Sequence, residues 1–165
     1  MKISIDYVEH WKYLGDKEDS PINQFFYYFV AFNCLYEKVY LENHPFGDDD
    51  MKERDKIDEF LEDSLYTSYK KNGFAPCADL SKIPELAKGV AKGPKQVERL
   101  REYSKINRDA SMKDQEKQLF MNIYQVRCNL FHGQKELMND YDRNFRLIAE
   151  SASVLKELLT ICLVG

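Results

Sequence analysis

Three residues in the stretch Arg127-Cys128-Asn129-Leu130-Phe131-His132-Gly133 carry side chains able to do chemistry: Arg127, Asn129 and His132. A guanidinium offers a rigid fork of donors to anionic oxygens, and an imidazole takes up or releases a proton near neutral pH. The surrounding pattern is helical. With Leu119 as origin and about 100° per residue, Leu119, Phe120, Ile123, Val126, Leu130 and Phe131 share one arc of about 140°. Arg127 falls inside that arc, where burial without a partner is costly, so the charge is either paired for structural reasons or put to use. His132 lies about 140° around the helix from Arg127, just before Gly133, a natural left-handed C-cap. A structural reading also covers it, because a histidine is favoured at the negative end of a helix dipole. Asn129, three residues before His132, shares its face. Arg127 and His132 can meet on one substrate only if the helix end unwinds, the Arg reaches around, or a second chain contributes.

Other groups give less. Asn33 interrupts an aromatic helix, either as a core amide satisfied by its surroundings or, together with Glu37, as support for Arg127. The three histidines, His10, His44 and His132, are isolated from one another and from cysteine, so no metal site can be read. Asp48-Asp49-Asp50 suits a helix N-terminus better than a cation. No glycine-rich phosphate loop or other cofactor signature is present. Cys34 and Cys128 lie in apolar helices and read as buried thiols rather than nucleophiles.

The four cysteines form no CxxC pair, and the N-terminus lacks the apolar core of a secretory signal, so reduced thiols in a cytoplasm are expected. No apolar run reaches the roughly 18 residues needed to span a membrane. A net charge of −4 and a pI near 5.5 argue against broad non-specific binding of duplex DNA. They leave room for a small, locally charged nucleic-acid site.

The elements that must position these residues are helices. The expectation is one all-α domain over residues 1–165, a bundle of four main helices with short additional ones. A short amphipathic piece spans Ile3 to Leu14. Ser20-Pro21 starts an aromatic helix in which Ile22, Phe26, Phe29, Asn33, Tyr36 and Tyr40 form a stripe that Phe25 and Phe32 widen. His44-Pro45-Phe46-Gly47 breaks the chain, and a third helix is expected from Asp48 to Lys71. Residues 74–110 are cut by Pro76, Pro84, Gly89, Gly93 and Pro94 and read as a loop-rich insertion with a modest helix from Lys95 to Ile106. Its Lys88, Lys92, Lys95, Arg99 and Arg101 read first as solvated surface. Ser111 is expected to cap the helix bearing Arg127. Asn139 or Asp140 starts the last, where Tyr141, Phe145, Ile148, Ala152, Leu155, Leu159 and Cys162 repeat at four- and three-residue steps.

Arg127-Cys128-Asn129-Leu130-Phe131-His132-Gly133 resembles the motif of HEPN domains (higher eukaryotes and prokaryotes nucleotide-binding): an Arg, four to six residues, then a His. The upstream FFYYFVAFNCLYEKVY helix is similar to the Asn-Leu-Tyr-like helix of the Apea-like branch. The likeness covers the bundle helices but not residues 74–110. The position after the Arg, polar in many catalytic members, is Cys128 here, with Asn129 one place later. The resemblance implies a metal-independent endoribonuclease acting as a homodimer, Arg127 and His132 of both chains lining one cleft and cutting RNA through attack by its own 2′-hydroxyl. Asn129 would orient His132 or bind a phosphate oxygen, and Lys135 would assist electrostatically. Such an enzyme would be a toxin, with an antitoxin protein as a further partner, or a phage-defence effector. The alternative is a non-catalytic HEPN-like module that binds RNA, a nucleotide or a protein, with Arg127 structural; a plain helical interaction domain is a third reading.

Overall fold

A computed structural model describes residues 5–46, 51–92, 108–132 and 140–164. The protein is an all-α helical bundle, with no strand among the described residues. Its contacts divide it into two compact units, Met1–Phe74 with Ser151–Gly165, and Ala75–Glu150. The expected helix from Lys95 to Ile106, the basic residues Arg99 and Arg101 within it, the acidic run Asp48 to Asp50, Gly133 and Lys135 lie outside the described residues.

The first unit is built on α2 (Pro21–Asn43), which starts with proline in its first turn and ends at His44. Phe25, Tyr28, Phe29, Phe32, Leu35, Tyr36, Val39 and Tyr40 are buried along it. The stripe read from the sequence is therefore one edge of the true core face. Phe26, counted in that stripe, is 44% exposed and Asn33 is half-buried, while Tyr28, Leu35 and Val39 carry the opposite side of the face. With aromatic residues on nearly every side of α2, spacing alone could not choose between neighbouring arcs.

α1 (Ile5–Asp16) packs along α2 through a close approach at Gly15. A Cβ built on Gly15 would stand 2.5 Å from Cε1 of Tyr28. The Tyr28 ring is held there because its hydroxyl donates to Asp16 at 2.6 Å. Burial alone would raise the pKa of Asp16, but hydrogen bonds from Lys12 and Tyr28 outweigh it and hold the carboxyl below its usual range. Gly15→Ala should consequently destabilise the protein by about 1–3 kcal/mol through overpacking. A fall in the urea midpoint at unchanged slope would register this; an unchanged midpoint would mean that the ring can step aside.

The third expected helix is two. α3 (Glu53–Glu62) ends at Asp63, whose extended backbone (ψ 150°) starts α4 (Ser64–Lys71). The Asp63 carboxylate accepts the Leu65 N–H at 2.9 Å, so a side chain of the cap-forming type breaks a continuous apolar pattern. α4 closes through Asn72 to Gly73, whose φ of 105° favours glycine. Between α2 and α3 a polar cluster is held beneath the aromatic core. The buried Tyr36 hydroxyl donates to Glu53, and the Asn33 amide donates to both. Lys56 bonds Glu37 at 2.7 Å and lies 4.8 Å from the centre of the Tyr40 ring. Burial, and then the Glu53 bond, push the Tyr36 phenol well above its usual range, so it stays a donor.

The second unit contains a 3-10 turn (Leu80–Lys82), α5 (Pro84–Lys92), α6 (Arg108–His132) and the opening of α7 (Tyr141–Val164). α5 packs on α6, with Leu86 and Val90 buried. The segment expected to be loop-rich thus holds a helix that begins at Pro84, a position where proline starts helices as readily as it ends them. α6 begins at Arg108, so Ser111 lies within its first turn rather than capping it; no Gly or Pro intervenes to stop the earlier start. α7 contributes Tyr141 to Glu150 to this unit and Ser151 onward to the first.

Candidate functional site at the end of α6

On α6, Glu116, Leu119, Phe120 and Ile123 are buried. The apolar arc then leaves the core. Val126, Arg127, Cys128 and Leu130 are only half-buried, and Phe131 is 58% exposed. The expectation that Arg127 interrupts a buried face is corrected accordingly, since the face has opened by the time the chain reaches it. The contacts of Arg127 include the Phe131 ring, 4.6 Å from guanidinium carbon to ring centre, and the Tyr124 ring at 6.0 Å. An arginine lying over an aromatic face is attracted by the ring's negative face, and this contact helps to fix where the guanidinium lies.

The helix runs without a break through Asn129 to His132. The helix positions of Arg127 and His132 are about 140° apart around the axis, and the His132 side chain lies outside what is described. Asn129 is exposed, and its carboxamide oxygen accepts from Gln125 at 2.9 Å. Asn33 and Glu37, considered as supports for Arg127, make the bonds described above within the first unit, whereas Arg127 belongs to the second.

Beside the end of α6 the second unit holds an open cleft of about 190 Å³. Asn122, Gln125, Val126 and Asn129 form the α6 wall, Glu85 and Leu86 the α5 wall, and Arg143, Asn144 and Leu147 the α7 wall. Glu85 is 5% exposed and sits among cations: Lys88 at 3.1 Å, Arg146 at 3.6 Å and Arg143 at 3.9 Å. The hydrogen bond from Lys88, followed by the field of the arginines, keeps its carboxyl below the usual range against the effect of burial.

The α5 wall is tied to α7. Glu150 accepts the backbone N–H of Glu85 at 3.2 Å and of Leu86 at 2.9 Å, satisfying two donors that the start of a helix leaves open. Glu150→Ala should cost about 0.5–2 kcal/mol, the range for losing a helix cap. Amide exchange at Glu85 and Leu86 should speed up selectively, and unchanged exchange there would show that α5 holds its start without Glu150.

One wall group is unsatisfied. Asn122 accepts from Gln118 at 2.8 Å through its oxygen, but its Nδ2 is closed off from solvent with no hydrogen-bond partner. A buried donor left unpaired costs about 1–3 kcal/mol. Glu85, Asn122, Gln125, Arg143 and Asn144 were not singled out from the sequence. A signal existed for part of the set, because Asn122, Gln125 and Asn129 recur at three- and four-residue steps on α6. Nothing local pointed to Glu85 or Arg143, whose association is made by tertiary folding.

Cys34 and Cys128, expected to be buried, are both half-buried on their helices, whereas Cys77 and Cys162 are buried. Burial, with the neighbouring Glu37, raises the Cys34 thiol, and burial with Glu116 pushes Cys77 up to about 12, so neither is an activated nucleophile. Among the described residues no cluster of three or more His, Cys, Asp or Glu is arranged to hold a metal ion, and no helix is long and apolar enough to cross a membrane. The sequence matches no protein-family model, no curated protein and no solved structure.

Proposed function

We propose that this protein is a metal-independent endoribonuclease of the HEPN type, working as a homodimer in a cytoplasm, in the role of a toxin or a phage-defence effector. The observation that carries the reading is the placement of Arg127, Asn129 and His132 within about a turn and a half of one helix end, at the point where its apolar face emerges from the core. The exposed Phe131 beside Arg127 supports the dimer, because a second copy covering that face would supply the opposing groups that one helix holds apart.

The chemistry follows from the side chains. One His132 takes the proton of the ribose 2′-hydroxyl as its oxygen bonds to phosphorus. The bond from phosphorus to the 5′-oxygen breaks, and that oxygen receives a proton from His132 of the second copy. Arg127 donates to the phosphate oxygens on which charge accumulates. The products are a 2′,3′-cyclic phosphate and a 5′-hydroxyl. Asn129 orients His132 or bonds a phosphate oxygen, and Lys135 adds positive charge.

A second reading, a non-catalytic RNA-, nucleotide- or protein-binding module, is favoured by the contact of Arg127 with Phe131 and by a cleft lined with carboxamides. Incubation of mixed cellular RNA with the wild type, Arg127→Ala and His132→Ala in EDTA separates the two. The enzyme leaves cyclic-phosphate ends with the wild type only. A folded, dimeric wild type that cleaves none of several RNAs would be the binding module.

A further inference from the structure

We infer that Arg143 is the residue that holds a backbone phosphate of RNA, in the cleft between α5, α6 and the start of α7. The inference rests on the ribonuclease reading and adds a binding residue to it, on the side of α6 where His132 has its place.

Helix geometry makes the first point. Counted at about 100° per residue from Asn122, the α6 wall residues Gln125 and Asn129 stand at about 300° and 340°, and His132 at about 280°. His132 therefore occupies the next place in the row that lines the cleft, about 4.5 Å along the axis beyond Asn129. Arg127, at about 140°, has its place on the opposite side of α6. A phosphate lying toward His132 is thus out of line with Arg127 of the same chain. The cation that the chain does bring to this row is Arg143, across the cleft on α7.

Arg143 is also uncommitted. Its Nε stands 3.9 Å from Glu85, beyond hydrogen-bond length, and its side chain is 49% exposed. Glu85 does not need it. That carboxylate is 5% exposed, accepts a hydrogen bond from Lys88 at 3.1 Å and has Arg146 at 3.6 Å. Three cations thus answer one enclosed carboxylate, while both oxygens of Glu150 accept backbone N–H groups of α5.

What the cleft still offers is donors. Asn129 has its carboxamide oxygen engaged by Gln125 at 2.9 Å, which leaves it N–H groups to present. The guanidinium of Arg143 has donors only. A planar fork with amide N–H groups across the cleft suits an anion with several oxygens, and RNA repeats one such group, the phosphate diester, along its length.

Binding of a short fluorescent 2′-O-methyl RNA to the wild-type protein tests this without turnover, since the strand lacks the attacking hydroxyl. Arg143→Ser should weaken binding about tenfold at low salt. The slope of log Kd against log salt concentration should fall in magnitude by about 0.7, the share of one contact to a single strand. Arg143→Lys should keep the slope and recover part of the affinity, which a merely structural loss would not show. Arg146→Ser removes the same charge beside the same carboxylate, but not from the cleft wall, and should cost less than about twofold. Unchanged binding by Arg143→Ser, an equal loss for Arg146→Ser, or no binding by the wild type overturns the inference. So does a wild type that cleaves RNA with KM and kcat unaltered by Arg143→Ser, a result that leaves the enzyme standing. Arg143-dependent binding by a wild type that cleaves no RNA upholds the phosphate site and dismisses the ribonuclease.

Discussion

His132→Ala should lower the rate of RNA cleavage in EDTA by about 10²–10⁴-fold, the contribution expected of a positioned general acid–base. Arg127→Ala should cost about 10²–10³-fold, the usual loss when a donor to developing charge is removed. Arg127→Ala should keep wild-type helical content and association state, because Arg127 lies where α6 has left the core. The two losses differ in their pH signature. Without Arg127 the activity that remains should keep the wild-type pH profile, since histidine still moves the protons. Without His132 the pH dependence that proton transfer through histidine gives the rate should be lost. Wild-type cleavage by either folded variant would remove the end of α6 from the mechanism. Arg127→Lys should recover only part of the activity, since an ammonium lacks the planar fork that grips two phosphate oxygens.

The largest structural effect is expected in the first unit. Phe32→Ala should destabilise the protein by about 3–5 kcal/mol. Phe32 is fully buried, with ring centres of Tyr36, Phe60 and Phe29 at 5.0, 5.8 and 5.9 Å. Its removal leaves a cavity beside the ring whose hydroxyl bonds Glu53, so packing and the polar cluster fail together. Phe26→Ala, one turn and a half earlier but 44% exposed, should change stability by no more than about 0.5 kcal/mol. Urea unfolding of the pair would check both figures. Comparable losses for the two would place the core face of α2 where the sequence stripe had it.

That comparison also marks what was legible beforehand. Two of the three long helices declare themselves locally, α2 through Pro21 and the break at His44-Pro45, and α7 through the steps from Tyr141 to Cys162. The face of α2 was misjudged by part of a turn because apolar residues crowd its circumference. The break at Asp63 was missed because the apolar steps from Ile57 to Tyr69 run on past it, and its capping depends on the extended turn the chain takes there. At the candidate site, Arg127, Asn129 and His132 could be found because a short spacing holds them together. The cleft could not, since Glu85, Asn122 and Arg143 are far apart in sequence and become neighbours only when α5, α6 and α7 assemble.

The division of α7 between the two units bears on how the chain is made. Tyr69 hydrogen-bonds the sulfur of Cys162, 93 residues later, and Leu155, Leu158 and Leu159 are fully buried in the unit that holds α2. That unit is assembled from segments on either side of Ala75–Glu150, which is one uninterrupted run. At about 5–20 residues per second, the intervening run takes on the order of 4–15 s to synthesise. Throughout that interval the segment from Ser151 onward, which completes the unit that holds α2, has not been made. The buried aromatic residues of α2 thus wait, while a whole second unit is translated, for the segment that completes their own.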